Sequence, residues 1–194
     1  GWRRAALFCM AFLLFSVFLV LLTNPCSQLL SQNPRLKKRL PPHIIYETAS
    51  FPLFEKYVLP EYKLRNEKLH AAGKFTHAHF DGDNKGLLEY YKETGLDGIE
   101  AITPVPQGDV TLEEVKEALG DMYLIDGIPA VYFDETFSEQ TLIDCVNKII
   151  DLFAPNLILG ISDEISSTGD IERIRLVGKI VDEYNAKIDA QNNV

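Results

Sequence analysis

The chain has 194 residues, of which 46% are hydrophobic and 24% charged, a make-up that supports a folded domain with one real core and excludes disorder on a large scale. Its net charge of −9 hides an asymmetry: residues 1–40 hold six Lys/Arg and no Asp/Glu, so 13 of the 19 basic residues stand against all 28 acidic ones in the remainder, a net of −15. An acidic globule behind a basic leader excludes nucleic acid as the expected partner.

Ala5 to Leu22 is a stretch of 18 residues with Ser16 its only polar member, preceded by Arg3 and Arg4. That length meets the minimum for a membrane-spanning helix. A signal peptide and a spurious or fused leader are the alternatives, although Thr23-Asn-Pro-Cys26 makes a poor cleavage site. If the stretch spans, Arg35, Lys37, Lys38 and Arg39 outnumber Arg3 and Arg4, which puts the larger domain on the cytoplasmic side. The expected division is a hydrophobic leader over 1–30, a linker over 31–50 and a folded domain over 51–194. Cys9, Cys26 and Cys145 are odd in number and lack CxxC spacing, so neither a disulfide framework nor a cysteine zinc site is expected.

From Pro52 a helix is expected, burying Phe54, Tyr57, Val58 and Leu69, interrupted by Pro60 and closed by Gly73. Lys74 to Asp83 then reads as a strand and its loop: a period of two puts His77, His79 and Asp81 on one face and Thr76, Ala78 and Phe80 on the other. Leu87, Leu88 and Tyr91 begin a helical pattern. Gly98 to Ile102 is a second strand, and Thr111-x-x-Glu114 is a capping box opening a helix that Gly120 closes. Met122 to Ile128 is the third strand. Ser138 caps a helix burying Leu142, Ile143, Val146, Ile149, Ile150 and Phe153, and Pro155 ends it. Leu157 to Ile161 is a continuous apolar run suited to a parallel strand, and Asp170 caps a last helix with Ile171, Ile174, Val177, Ile180, Val181 and Tyr184 on one stripe.

Four successive βα units imply an α/β fold with a parallel sheet and right-handed crossovers. Four strands cannot close a barrel, and residues 1–50 cannot supply four more units. The expected architecture is therefore an open sheet or the C-terminal half of a (β/α)8 barrel, its first half missing or supplied by another chain. Self-association would be one way to complete it.

Each strand ends near acid: Asp81 and Asp83, Glu100, Asp126, and Asp163 with Glu164. In βα folds the reactive groups collect outside the carboxyl ends of the strands. Helix capping is the alternative role for Asp83 and Asp126. His79 and Asp81, opposite a strand end carrying Asp163, would suit a divalent cation such as zinc, three protein ligands leaving a position open for substrate. His77, one pleat deeper, would orient the ligands. Glu100 is a candidate fourth ligand or general acid, and Asp126 a second candidate for acid–base work.

Leu53-Phe-Glu-Lys-Tyr-Val-Leu-Pro60, His-Ala-Ala-Gly-Lys74, His79-Phe-Asp-Gly82, Gly-Asp-Val-Thr-Leu-Glu-Glu-Val115, Asp126-Gly-Ile128 and Leu-Gly-Ile-Ser-Asp163, in this order, resemble the second half of the uroporphyrinogen decarboxylase superfamily. The likeness covers about residues 50–186. It implies a βα barrel acting either as a porphyrinogen decarboxylase or as a methyltransferase linked to a corrinoid protein, with a small methyl donor or acceptor as substrate. The methyltransferases carry His-x-Cys-Gly and a later Cys as zinc ligands. His79 matches the His, while Asp81 and Asp163 stand where the two Cys would be, which leaves the identity of the metal open. The catalytic Asp and the propionate-binding arginines of the decarboxylases belong to the absent half, so the resemblance favours the methyltransferase branch. A membrane-tethered half-barrel that binds without catalysis is the third reading.

Overall fold

The structure, a computed structural model, describes residues 51–192. The chain enters it through a helical turn at Phe51–Leu53, a π-helical turn at Phe54–Val58, and helix α1 at Leu59–Ala71. Pro60 does not break the helix. Standing in the first turn of α1, it lacks an N–H where the widened π turn has already displaced the usual ladder. Phe54, Val58 and Leu59 are buried as the apolar pattern requires, but Tyr57 and Leu69, expected in the core, are exposed. Asn66 goes in instead, donating to the Thr94 carbonyl at 2.8 Å. Gly73 closes the segment at φ +68, a left-handed conformation that glycine adopts without penalty.

Strand β1 is His77–His79, and a 3-10 helix at Leu88–Thr94 follows where the sequence suggested an α-helical pattern. Its inward residues explain the tighter winding: Leu88, Tyr91 and Thr94 are three apart and line up on one side only at three residues per turn. Tyr91 and Thr94 are fully buried, and the Tyr91 hydroxyl donates to buried Asn84. Strand β2 is Gly98–Glu100, α2 is Leu112–Leu119 and β3 is Tyr123–Ile128. After a 3-10 turn at Ala130–Phe133 come α3 at Glu139–Phe153, β4 at Leu157–Ile161 and α4 at Ile171–Asn192. The helix starts are those the sequence announced. Thr111 and Glu114 complete a reciprocal capping box, Ser138 Oγ accepts from the Thr141 amide, and Asp170 Oδ1 accepts from the Glu172 amide at 2.8 Å.

The four strands form one sheet in the order β1-β2-β3-β4, every pair parallel. Right-handed crossovers between sequential neighbours put all connecting helices on the same face. On that face α1, the 3-10 helix, α2, α3 and α4 touch one another in chain order. The core lies between the layers: Ile99, Leu124 and Leu157 from the sheet meet Val115, Leu119, Leu142, Val146, Ile149 and Phe153 from the helices.

The opposite face follows from the register. His77 pairs with Gly98 and Tyr123, and His79 with Glu100, Ile125 and Ile158, so these rows share the side turned away from the helices. Apart from Gly98, none of the residues named there is buried. Among the described residues no helix is long and apolar enough to cross a membrane. The apolar stretch at 5–22 lies outside them.

Thr111→Ala removes the side-chain half of the capping box and should lower stability by about 1 kcal/mol, read as a reduced urea midpoint at unchanged slope.

Candidate functional site

The face away from the helices carries a cluster of charged groups drawn from three strands. His77 and His79 are separated by one residue of β1, so both imidazoles lie on the same side, and Glu100 stands beside them in β2, paired with His79. Glu100 Oε2 is 3.0 Å from His77 Nδ1 and Oε1 is 3.7 Å from His79 Nδ1. One carboxylate thus spans two imidazoles. Each of the three side chains is partly exposed, 46% for either histidine and 26% for Glu100.

Asp126, near the end of β3, reaches the cluster by an unusual backbone. Its φ is +77, and Ala101, just past β2, has φ +66. Left-handed conformations at non-glycine residues store strain that the surrounding structure must hold. What holds Asp126 is visible: its carboxylate accepts from the Ala101 amide and passes across β4 at Gly160. A Cβ added at Gly160 would lie 2.3 Å from Asp126 Oδ1. Only a residue without a side chain lets the carboxylate take this path.

The charges divide these groups into two kinds. The two imidazoles hold the Glu100 carboxyl down to about 2, well below its ordinary 4.5. Contact with Glu100 in turn raises both histidines above 6.5, against an opposing effect of burial. Burial first, and the Glu100 charge second, push Asp126 up to about 6, with His79, the Ala101 amide and His77 opposing. Near neutral pH the site therefore holds a fixed carboxylate, two imidazoles that keep their protons longer than usual, and a carboxyl that protonates far more readily than an ordinary aspartate. Titratable groups pushed apart in this way are suited to passing protons to and from a bound molecule.

Of the residues singled out from the sequence, His79, Glu100 and Asp126 come together, and His77 joins them. Asp81 is close enough to raise His79 by its charge, but its Oδ1 accepts from the adjacent Gly82 amide at 2.7 Å. Asp163 is held elsewhere: Oδ2 accepts from Gln107 Nε2 at 3.1 Å and Oδ1 from the Glu164 amide at 2.7 Å. Asp83 is exposed. Among the described residues no group of three or more His, Cys, Asp or Glu is placed to hold a metal ion. As placed, His79, Asp81 and Asp163 do not form one ligand set.

Two residues outside the sequence motifs matter to the site. Gly160 interrupts the apolar run Leu157-Ile158-Leu159-Gly160-Ile161, and a glycine inside a strand is the usual mark of a close backbone approach. Gln107 ties the mouth together, since its Oε1 accepts from the Val131 amide at 3.2 Å while its Nε2 holds Asp163. The loops after β2, β3 and β4 are thereby linked by one side chain. A cavity of about 390 Å³ opens elsewhere, on the helical side, lined by Leu112, Glu113, Tyr132, Cys145 and Lys148 among others. Burial pushes the Cys145 thiol up to about 11, so it is not a nucleophile at neutral pH.

In comparison with known proteins, no protein-family model matches the chain and no curated protein does.

Two outcomes test this geometry. Because His77 and His79 hold protons more tightly when folded and Glu100 holds its proton less tightly, their contact stabilises the fold fully between pH 4.5 and 6.5; that contribution is lost as pH rises through the folded values of the histidines, and on the acid side as pH falls from 4.5 to about 2. Asp126, raised from 3.8 to about 6, acts in the same sense as the histidines between those two values. The thermal midpoint should fall from mildly acidic to mildly alkaline pH, and Glu100→Gln should flatten the histidine part of that slope. Gly160→Ala should displace the Asp126 carboxylate and cost about 1–3 kcal/mol as for other strained insertions, measured by denaturant unfolding.

Proposed function

We propose that the chain is the second half of a (β/α)8-barrel enzyme resembling the uroporphyrinogen decarboxylase superfamily, and that it assists methyl transfer between a small methylated substrate and a corrinoid carried by a partner protein. The observation that carries this reading is the Glu100 carboxylate between His77 and His79, with Asp126 beside it, on the strand face that becomes the interior of such a barrel. Residues 5–22 would anchor the domain to a membrane, with the site on the cytoplasmic side.

A corrinoid, when bound by its partner protein, would supply the nucleophile for the methyl group. The chain's own residues deal with what is left behind: when a methyl group leaves oxygen, nitrogen or sulfur, that heteroatom needs a proton. His79, half exposed and raised above its ordinary value by contact with Glu100, is placed to donate it, and Asp126 to return a proton to the cluster afterwards. Glu100, held well below its ordinary range, stays ionised and favours the protonated form of both imidazoles. His77 shares that carboxylate and sets its orientation.

Charge at the mouth favours this reading over a porphyrinogen decarboxylase. The segments 80–87, 101–111, 129–138 and 162–170, which follow the four strands, hold eight Asp/Glu and one Lys/Arg, Lys85. Lys85 is itself paired with Glu114 at 3.1 Å. A ring of acid repels a substrate bearing many carboxylates.

The test is transfer of a methyl group from methylated amines, ethers or thiols to reduced cobalamin, followed by cobalamin absorbance. Protein-dependent transfer is expected with at least one class, falling about 100-fold or more in Glu100→Gln and His79→Ala, the scale of a lost general acid. Transfer unchanged in both variants, or no transfer with any donor, would contradict the reading.

A further inference from the structure

We infer that Ser162 is a positioning residue of the charged cluster: its hydroxyl ties the two left-handed turns at the ends of β2 and β3 together and so keeps the Asp126 carboxylate beside Glu100, His77 and His79. What this does for methyl transfer rests on the function proposed above; the positioning itself does not.

Ser162 follows β4 and is 2% exposed. Its amide continues the sheet, donating to the Ile128 carbonyl at 2.9 Å. The side chain turns elsewhere. Ser162 Oγ accepts from the Gly127 amide at 3.0 Å and donates to the Ile102 carbonyl at 3.0 Å, partners 35 and 60 residues away in sequence. Gly127 is the residue after Asp126, and Ile102 is the residue after Ala101. Among the described residues, Asp126 and Ala101 are the non-glycine residues with positive φ, +77 and +66. Each is thus followed by a backbone group that ends on the same oxygen.

That coincidence has a physical reason. A left-handed residue turns the next peptide away from the direction a regular strand would give it, and a backbone group displaced where water does not reach needs another partner. Gly127 and Ile102 are both buried. A hydroxyl can donate and accept at once, and Ser162 uses both capacities. Thr103 Oγ1 also donates to the Ala101 carbonyl at 3.3 Å, but that contact is local to one loop. Ser162 joins the end of β2 to the end of β3 from a third strand.

The link matters because Asp126 has to be brought across. Alternation would put position 126 with Leu124 and Ile128, which are buried against the helices; the left-handed turn takes its carboxylate to the charged cluster instead. The charged groups that face it are Glu100 in β2 and His79 and His77 in β1. Leu159 and Gly160 stand opposite in β4. From α3 the approach is apolar, Ile149 Cδ1 lying 3.8 Å from where a Gly127 Cβ would stand. Without the Ser162 hydroxyl, the Gly127 amide and the Ile102 carbonyl both lose their partner, and the turn carrying Asp126 is released toward an ordinary strand conformation.

The experiment is carbon-13 titration of the Asp126 carboxyl in the full chain and in Ser162→Ala, Ser162→Thr and Thr94→Ala. Because the Ser162 amide keeps its bond to Ile128, Ser162→Ala should fold. Thr94→Ala is the control: its buried hydroxyl also accepts from one amide, Leu96, and donates to one carbonyl, Tyr91, but ahead of β2, at the other end of the sheet. Burial and the Glu100 charge hold Asp126 at about 6, so Ser162→Ala should move it toward the ordinary 3.8, weakening its hold on the proton about tenfold or more. Ser162→Thr, which keeps the hydroxyl, and Thr94→Ala should leave it in place. An Asp126 unmoved in Ser162→Ala, or moved as far in either of the other two, would overturn the inference. The Gly127 amide of the unaltered chain should exchange slowly with solvent; fast exchange would overturn the inference even if Ser162→Ala does not fold. In the transfer assay Ser162→Ala should lower kcat about tenfold or more with little change in KM. Asp126 moved as expected, with no transfer even by the unaltered chain, would keep the positioning and contradict the proposed function; transfer with Asp126 unmoved would do the reverse.

Discussion

Glu100 sits between two imidazoles, and the rest of the site depends on that contact. Because the carboxylate faces His77 and His79 it stays ionised well below its usual range, and because it stays ionised both rings hold protons above theirs. The same fixed negative charge adds to burial in making Asp126 reluctant to ionise. Three titratable groups are thus set by one carboxylate. The backbone that brings them together is costly at two points, the left-handed Ala101 and Asp126, and that strain falls at strand ends where a βα fold places its chemistry.

Why the cluster lies where it does is a matter of topology. Sequential parallel strands with right-handed crossovers assign every helix to one face, so apolar side chains of alternate positions, Ile99 and Leu124 among them, make the core. The intervening positions are left to the other face and are released from packing. There the sequence places His77, His79 and Glu100. A face with this content is stable against water only in part, since Tyr123, Ile125 and Ile158 share it. The proposed function answers to that one fact: among the described residues the parallel sheet is covered by helices on a single side.

Much of this is legible in the residues. The capping signals at Thr111, Ser138 and Asp170 mark helices that start where expected, and the run Leu157 to Ile161 is a strand end to end. Local chemistry decides these, so local reading finds them. The period of two also puts His77 and His79 on one side. What it cannot give is how neighbouring strands are staggered, and the partner of the histidines is decided by that stagger. Glu100, rather than Asp81 or Asp163, lies level with His79. Asp81 sits beyond the three-residue strand, where alternation no longer dictates direction, and turns to its neighbour's amide. Asp163 is claimed by Gln107, 56 residues away in sequence. Apolarity alone assigns Tyr57 and Leu69 to the core, whereas the helix turns Asn66 inward because Thr94 offers its carbonyl. The winding at Leu88–Thr94 likewise depends on which residues must face inward.

The most direct measurement is the proton titration of the His77 and His79 rings by nuclear magnetic resonance, in the unaltered chain and in Glu100→Gln. Both rings should titrate above 6.5 in the former, and both should move down together when the carboxylate is replaced by an amide of the same shape. Rings that titrate at ordinary values, or that do not respond to Glu100→Gln, would contradict the central place given to that carboxylate.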